Sequence, residues 1–206
     1  MAISKYEEMN EMEKDIFKEL GSIGGGNAAT AMSNMLNAKV SMVVPTVEIL
    51  EFNEALARLG DPESVVAAVM VEMTGEIQGI MLQIVPQEFS DAVLSRMLGK
   101  EAVPLLEMEE IDGSVLTEIG NIVIATYITA LSSLCRVDIE LAVPQFTVNM
   151  LGGIMSMPIA MMGQHSDRIM MVTGEFKIDG AALNSGMLLL PDVASLNILM
   201  KKLGVD

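Results

Sequence analysis

The sequence predicts an α+β fold: a single domain, residues 1–206, made of two related halves with internal pseudo-two-fold symmetry. Three observations predict it. First, a polar spacing recurs. Asp15, Glu19, Ser22 and Pro45 are echoed 99 positions later by Ser114, Glu118, Asn121 and Pro144. Second, each copy opens on a long stretch of helical character and continues into β-branched runs and a shorter helical stretch. Third, 51% of the 206 residues are hydrophobic, enough to bury a sizeable core.

In the first half, roughly 10–99, a long helix is expected from about Asn10 to Asn37. Lys39 to Val44 and Val65 to Val71 read as strands, and Gly79-Ile80-Met81-Leu82 as part of a further extended segment. Pro86 then precedes a short helix bearing Phe89, Val93 and Met97, which stops at Gly99. Lys100 to Glu110 is a short acidic connector. The second half, roughly 112–204, repeats the order. A helix runs from about Asp112 to Leu134, Gly186-Met187-Leu188-Leu189 is extended, and Pro191 precedes a helix with Val193, Leu196 and Met200 that stops at Gly204. The repeat is more than a motif. Glu19-Leu20-Gly21-Ser22-Ile23 matches Glu118-Ile119-Gly120-Asn121-Ile122, and Val44-Pro45 matches Val143-Pro144.

On a helix, positions i, i+4 and i+7 form one narrow stripe, because each residue turns the chain by about 100°. Asp15, Glu19 and Ser22 share such a stripe, as do Ser114, Glu118 and Asn121. A Glu and an amide one turn apart make a stiff two-pronged polar tool that can enter another protein's pocket at small entropic cost. A polar stripe is also the ordinary solvent face of an amphipathic helix. Duplication weighs toward a site, although a duplicated fold preserves packing patterns as well.

Composition excludes several functions. A net charge of −16 argues against nucleic acid as a partner, since phosphate contacts need a basic footprint. It argues equally against an anionic membrane surface, and no apolar run reads as long and clean enough to insert into a bilayer. Cys135 is alone, so no intramolecular disulfide is expected, and a reducing cytoplasm fits. The acidic start is not a signal peptide. With His165 as the one histidine, neither a His-rich metal site nor a His-based triad is expected. Gly21, Gly24, Gly25 and Gly26 lack the strand and the Lys-Ser/Thr pair of a phosphate loop, and read as close helix packing against another backbone. The twenty Met read chiefly as core filling, and Glu107, Glu109 and Glu110 as a solvated face.

The spacing Asp/Ser, three residues, Glu, two residues, Asn, 22 residues, Pro resembles the signature of the CheC/CheX/FliY family of bacterial chemotaxis phosphatases. The flanks KELGSIGGGNAATAMSNMLN and TEIGNIVIATYITALSSL resemble that family's two long helices. The resemblance covers nearly the whole chain. It implies a CheC-like domain with long helices packed on a β-sheet, and hydrolysis of the aspartyl phosphate of the response regulator CheY. It implies that Glu118 contacts the regulator's active-site Lys and that Asn121 holds a water in line with the phosphate. Glu19 takes the Glu position of the first copy, Ser22 stands where the family has Asn, Asp15 and Ser114 lead the motif, and Pro45 and Pro144 close it. A hydroxyl is shorter than a carboxamide by about two heavy atoms, so the first site is expected to be weak. The resemblance also implies the CheD deamidase as a partner. No cofactor or metal of its own is expected, the Mg²⁺ belonging to the substrate regulator, whose phosphate lacks only a positioned water. The alternative is a non-catalytic adaptor that binds CheD or phosphorylated CheY. A structural part of the flagellar switch is a third reading.

Overall fold

The computed structural model describes residues 11–43, 46–162 and 168–204. Pro45 and His165 lie outside the described residues. The chain runs α1 (Glu11–Leu36), β1 (Val40–Met42), β2 (Thr46–Glu51), α2 (Phe52–Leu59), β3 (Val65–Gly75), β4 (Gly79–Val85) and α3 (Gln87–Leu98). After a 3₁₀ turn at Leu105–Glu107 come α4 (Glu110–Cys135), β5 (Ile139–Leu141), β6 (Gln145–Met150), α5 (Leu151–Met162), β7 (Arg168–Ile178), β8 (Ala181–Pro191) and α6 (Val193–Lys202). The second half repeats the first, element for element.

The strands form one antiparallel eight-stranded sheet that interlocks the halves. β3 and β4 form one hairpin, β7 and β8 another, and β4 pairs β8 where the halves meet. The flanking strands cross over. β1 and β2 pair with β7 of the second half, while β5 and β6 pair with β3 of the first. Ile178 and Ala181 bracket a turn at Asp179-Gly180, both at positive φ, the arrangement that suits the twist of a hairpin.

Both faces of the sheet are covered. On β4, Met81 and Val85 face a core built with α1, α3, α4 and α6, including Phe17, Met32, Leu116, Ile124, Tyr127 and Phe89. Ile80, Leu82 and Ile84 face the other way, against Ala55 of α2 and Leu151, Ile154 and Met155 of α5. Two-sided burial explains why the central strands are continuously apolar rather than alternating. Met fills the interior, as expected: Met32, Met73, Met81, Met170, Met171 and Met187 are all buried.

The long helices lie where the sequence predicts them, within about two residues. Sequence reading missed α2 and α5. The first is short but opens on a capping box between Glu51 and Glu54. The second carries Gly152, Gly153 and Pro158, residues that argue against a helix, yet its apolar side chains close the second core. One internal alignment also shifts. Pro86 caps α3, but Asp192, not Pro191, occupies the matching place on α6, where its carboxylate accepts from the Ser195 amide. Gly99 closes α3 with a left-handed φ of 66°, as predicted.

The expectation that no apolar run is long enough to cross a membrane needs correcting. Among the described residues α4 meets that test by length and composition, and half of its apolar window is buried within the fold. Its length and apolarity reflect packing on two sides, against α1 and against the sheet. At Gly120 a Cβ would fall 2.5 Å from Val69 Cγ2 of β3, so α4 rests directly on the strand there. At Gly24 a Cβ would fall 3.0 Å from the Tyr127 Cα, so α1 and α4 nearly touch backbone to backbone. The glycine cluster is therefore a packing device at Gly24, as expected. At Gly25 the neighbour is the Met42 side chain, and at Gly26 there is open space.

Candidate functional site

α4 turns Leu116, Ile119, Gly120, Val123 and Ile124 inward, and this fixes which residues face out. Ser114 and Glu118 are exposed and Asn121 is half-buried. The stripe is thus on the solvent side, but its amide is seated lower than its carboxylate. The side chains of Glu118 and Asn121 make no hydrogen bond to another described residue, so both are available to a partner. Thr117, next to the stripe, donates to the Gly113 carbonyl at 2.6 Å, and Ser114 donates to the Glu110 carbonyl at 2.9 Å. Ser114 therefore serves its own helix. Pro144 is half-buried in the loop between β5 and β6.

The first copy is built the same way on α1. Asp15 and Glu19 are exposed and Ser22 is half-buried. Ser22 Oγ donates to the Lys18 carbonyl at 3.1 Å. Its hydroxyl is short and turned back along the helix, where Asn121 presents a free carboxamide.

The start of α4 is held by an arrangement that the sequence reading missed. Asp112 is fully buried. It accepts from Lys100 Nζ at 2.7 Å and, through its other oxygen, from the Glu109 amide at 3.0 Å. Lys100 also reaches Glu109 at 2.9 Å. The Lys100 ammonium holds the Asp112 carboxyl below the ordinary carboxylate value, and Asp112, then Glu109, raise Lys100 in turn. The Glu109-x-x-Asp112 spacing is the sequence signal that could have found the cap. Glu107, Glu109 and Glu110 are exposed, as the sequence suggested, but Glu109 is also part of this clamp.

A groove of about 640 Å³ adjoins the stripe. Leu105, Leu106, Met108, Phe146 and Val148 line it, together with Gly113, Ser114, Thr117 and Glu118 of α4. Nothing in the connector's composition announced it, because it forms only where the 3₁₀ turn, α4 and β6 converge. Among the described residues no group of three or more His, Cys, Asp or Glu side chains is placed to hold a metal ion.

The family model described as CheC-like matches residues 12–49 and 112–148, the two stripes with their following strands. The chain is 30% identical over 210 residues to a CheY-P phosphatase CheC of Bacillus subtilis, covering 99% of this chain and all of that one. It belongs to the CheC-like family. The solved structure of Thermotoga maritima FliY superposes with a TM-score of 0.74 at 21% identity, covering 96% of this chain and 98% of that one. A chain of the CheX-CheY-BeF3-Mg²⁺ complex of Borrelia burgdorferi superposes at 0.54 with 18% identity, covering 84% of this chain and 96% of that one. Both share the fold. Family membership accounts for the matched stripes, and in this member only the second carries the amide.

Proposed function

We propose that this protein hydrolyses the aspartyl phosphate of phosphorylated CheY, and that α4 supplies the residues that do it. The observation that carries the proposal is the unengaged pair Glu118 and Asn121 on the solvent side of α4, in a chain that matches a CheY-P phosphatase along its whole length. Glu118 docks on a cation of the regulator's site. The Asn121 carboxamide oxygen accepts a hydrogen bond from a water and steers the water oxygen toward phosphorus. The water oxygen bonds to phosphorus as the P–O bond to the aspartyl carboxylate breaks, so the regulator recovers its free carboxylate and the water's atoms leave as part of inorganic phosphate. The Mg²⁺ that offsets phosphate charge belongs to the substrate, so positioning is the main task left to this chain. The first stripe is weak because the Ser22 hydroxyl is short and spent on Lys18. A cytoplasmic location goes with this substrate.

Phosphate release from Mg²⁺-loaded phosphorylated CheY tests the assignment. Asn121→Ala is expected to lower kcat by about 100-fold, the scale of lost positioning. A rate within about twofold of wild type would sink it.

The adaptor reading keeps one point in its favour, the disabled first stripe, and CheD is the partner it names. Saturable CheD binding by a protein that leaves phosphorylated CheY intact would favour that reading.

A further inference from the structure

We propose that the groove beside Glu118 is a specificity pocket for the regulator, and that it takes an apolar side chain flanked by Lys or Arg from the rim of the regulator's phosphorylation site. The proposal rests on the hydrolase reading and deepens it. Four observations carry it.

The groove is continuous with the stripe, since Ser114 and Glu118 belong to both. A partner seated in the groove lies alongside Glu118, with Asn121 one turn further along α4. Second, its wall is apolar and uncovered. Leu106 is 73% exposed at the tip of the 3₁₀ turn, facing solvent beside Phe146 and Val148. Leu106, Met108, Phe146 and Val148 form one contiguous apolar patch rimmed by carboxylates, the kind of surface a partner covers.

Third, the rim has one sign. Glu109, Glu110 and Glu118 border the groove, and the nearby cation, Lys100, is already held by Asp112 and Glu109. An apolar floor under an acidic rim selects an apolar group with basic neighbours and disfavours acidic ones. Fourth, the floor is set before docking. The Gln87 amide donates to the Val103 carbonyl at 2.7 Å and to Asp91 at 2.8 Å, while Gln87 Oε1 accepts from the Leu105 amide at 3.0 Å. The connector between α3 and α4 is thereby pinned, so docking orders little new chain.

The test measures the Kd for CheY charged with Mg²⁺ and beryllofluoride, a state that binds without turnover, beside kcat and KM on phosphorylated CheY. Leu106→Asp is expected to raise Kd and KM about tenfold, as loss of a docking anchor does, while kcat stays within about twofold. Leu106→Met is expected to restore wild-type binding to within about threefold, because volume and apolarity are kept. Met157→Asp, at another exposed apolar residue, on α5 across the sheet, is the control and leaves Kd unchanged. An unchanged Kd in Leu106→Asp overturns the pocket, as does a variant that shifts the chain between monomer and dimer with no change in Kd. Asn121→Ala measured in parallel keeps the two claims apart: it addresses hydrolysis, while the beryllofluoride Kd addresses docking alone.

Discussion

Lys100 Nζ lies 2.7 Å from Asp112 Oδ1, joining the residue just past the end of α3 to the buried first turn of α4. Asp112 is wholly enclosed, so its charge is tolerable only because Lys100 and the Glu109 amide both donate to it. This contact ties the connector after α3 to the first turn of α4, the helix that carries Glu118.

Asp112→Asn keeps one acceptor oxygen but loses the one that takes the Lys100 ammonium, so it is expected to cost at least one hydrogen bond, about 1 kcal/mol, and to lower Tm by about 2–4 °C. The sign of the pH effect follows from the pKa. Asp112 titrates below its ordinary 3.8 in the folded chain, so its contribution is complete above that value and is lost as pH falls through the lower, native one. Urea midpoints compared from pH 6 down to pH 3 should fall more steeply in wild type than in Asp112→Asn. Parallel curves would remove Asp112 from the account.

Two helical glycines should respond to the same substitution in opposite directions. At Gly26 on α1 an added Cβ would meet open space, so Gly26→Ala is expected to stabilise by about 0.5–1 kcal/mol. At Gly120 an added Cβ would lie 2.5 Å from the Val69 side chain, and overpacking there costs about 1–3 kcal/mol, more than the helix propensity returns. Equal midpoint shifts in thermal unfolding would contradict the close α4–β3 seat.

Restoring the amide of the first stripe tests whether one side chain silences it. In an Asn121→Ala background, Ser22→Asn should return measurable phosphate release, because Glu19 is already exposed one turn earlier. Glu118→Gln, by contrast, should raise KM more than it lowers kcat, since the carboxylate's part is docking. Should Ser22→Asn leave the double variant inert, α1 lacks more than the amide.

Cys135 ends α4 inside the main core, and burial pushes its thiol up to about 11. A thiol-directed disulfide reagent at pH 8 should leave the native chain unmodified and react fully once the chain is unfolded. Rapid native labelling would mean that the end of α4 opens readily.

Tyr127 lies at the close approach of α1 and α4, and its buried hydroxyl has no hydrogen-bond partner among the described residues. Burial drives its ionisation well above the ordinary 10.0. Tyr127→Phe removes an unsatisfied polar atom while keeping the ring, so a stability gain of about 1 kcal/mol is expected in chemical unfolding. A loss of that size would point to a buried water on the hydroxyl.

The two long helices, the duplication and the polar stripe were legible in the chain before any coordinates. Each is written locally: a period of 3.6 residues places Glu118 and Asn121 together whatever surrounds them. The chain also carried the inequality of the two copies, because Ser22 against Asn121 is a difference of one residue type. The exchange of β1 and β2 onto β7 and of β5 and β6 onto β3 emerged from folding in three dimensions, since pairing between distant strands leaves no trace in local periodicity. So did α5, whose glycines and Pro158 oppose a helix that the second core nonetheless stabilises. So did the groove. Leu106, Glu118 and Phe146 sit on three different elements, the 3₁₀ turn, α4 and β6, and they line one cavity because α4 is clamped at Asp112 and seated on Val69.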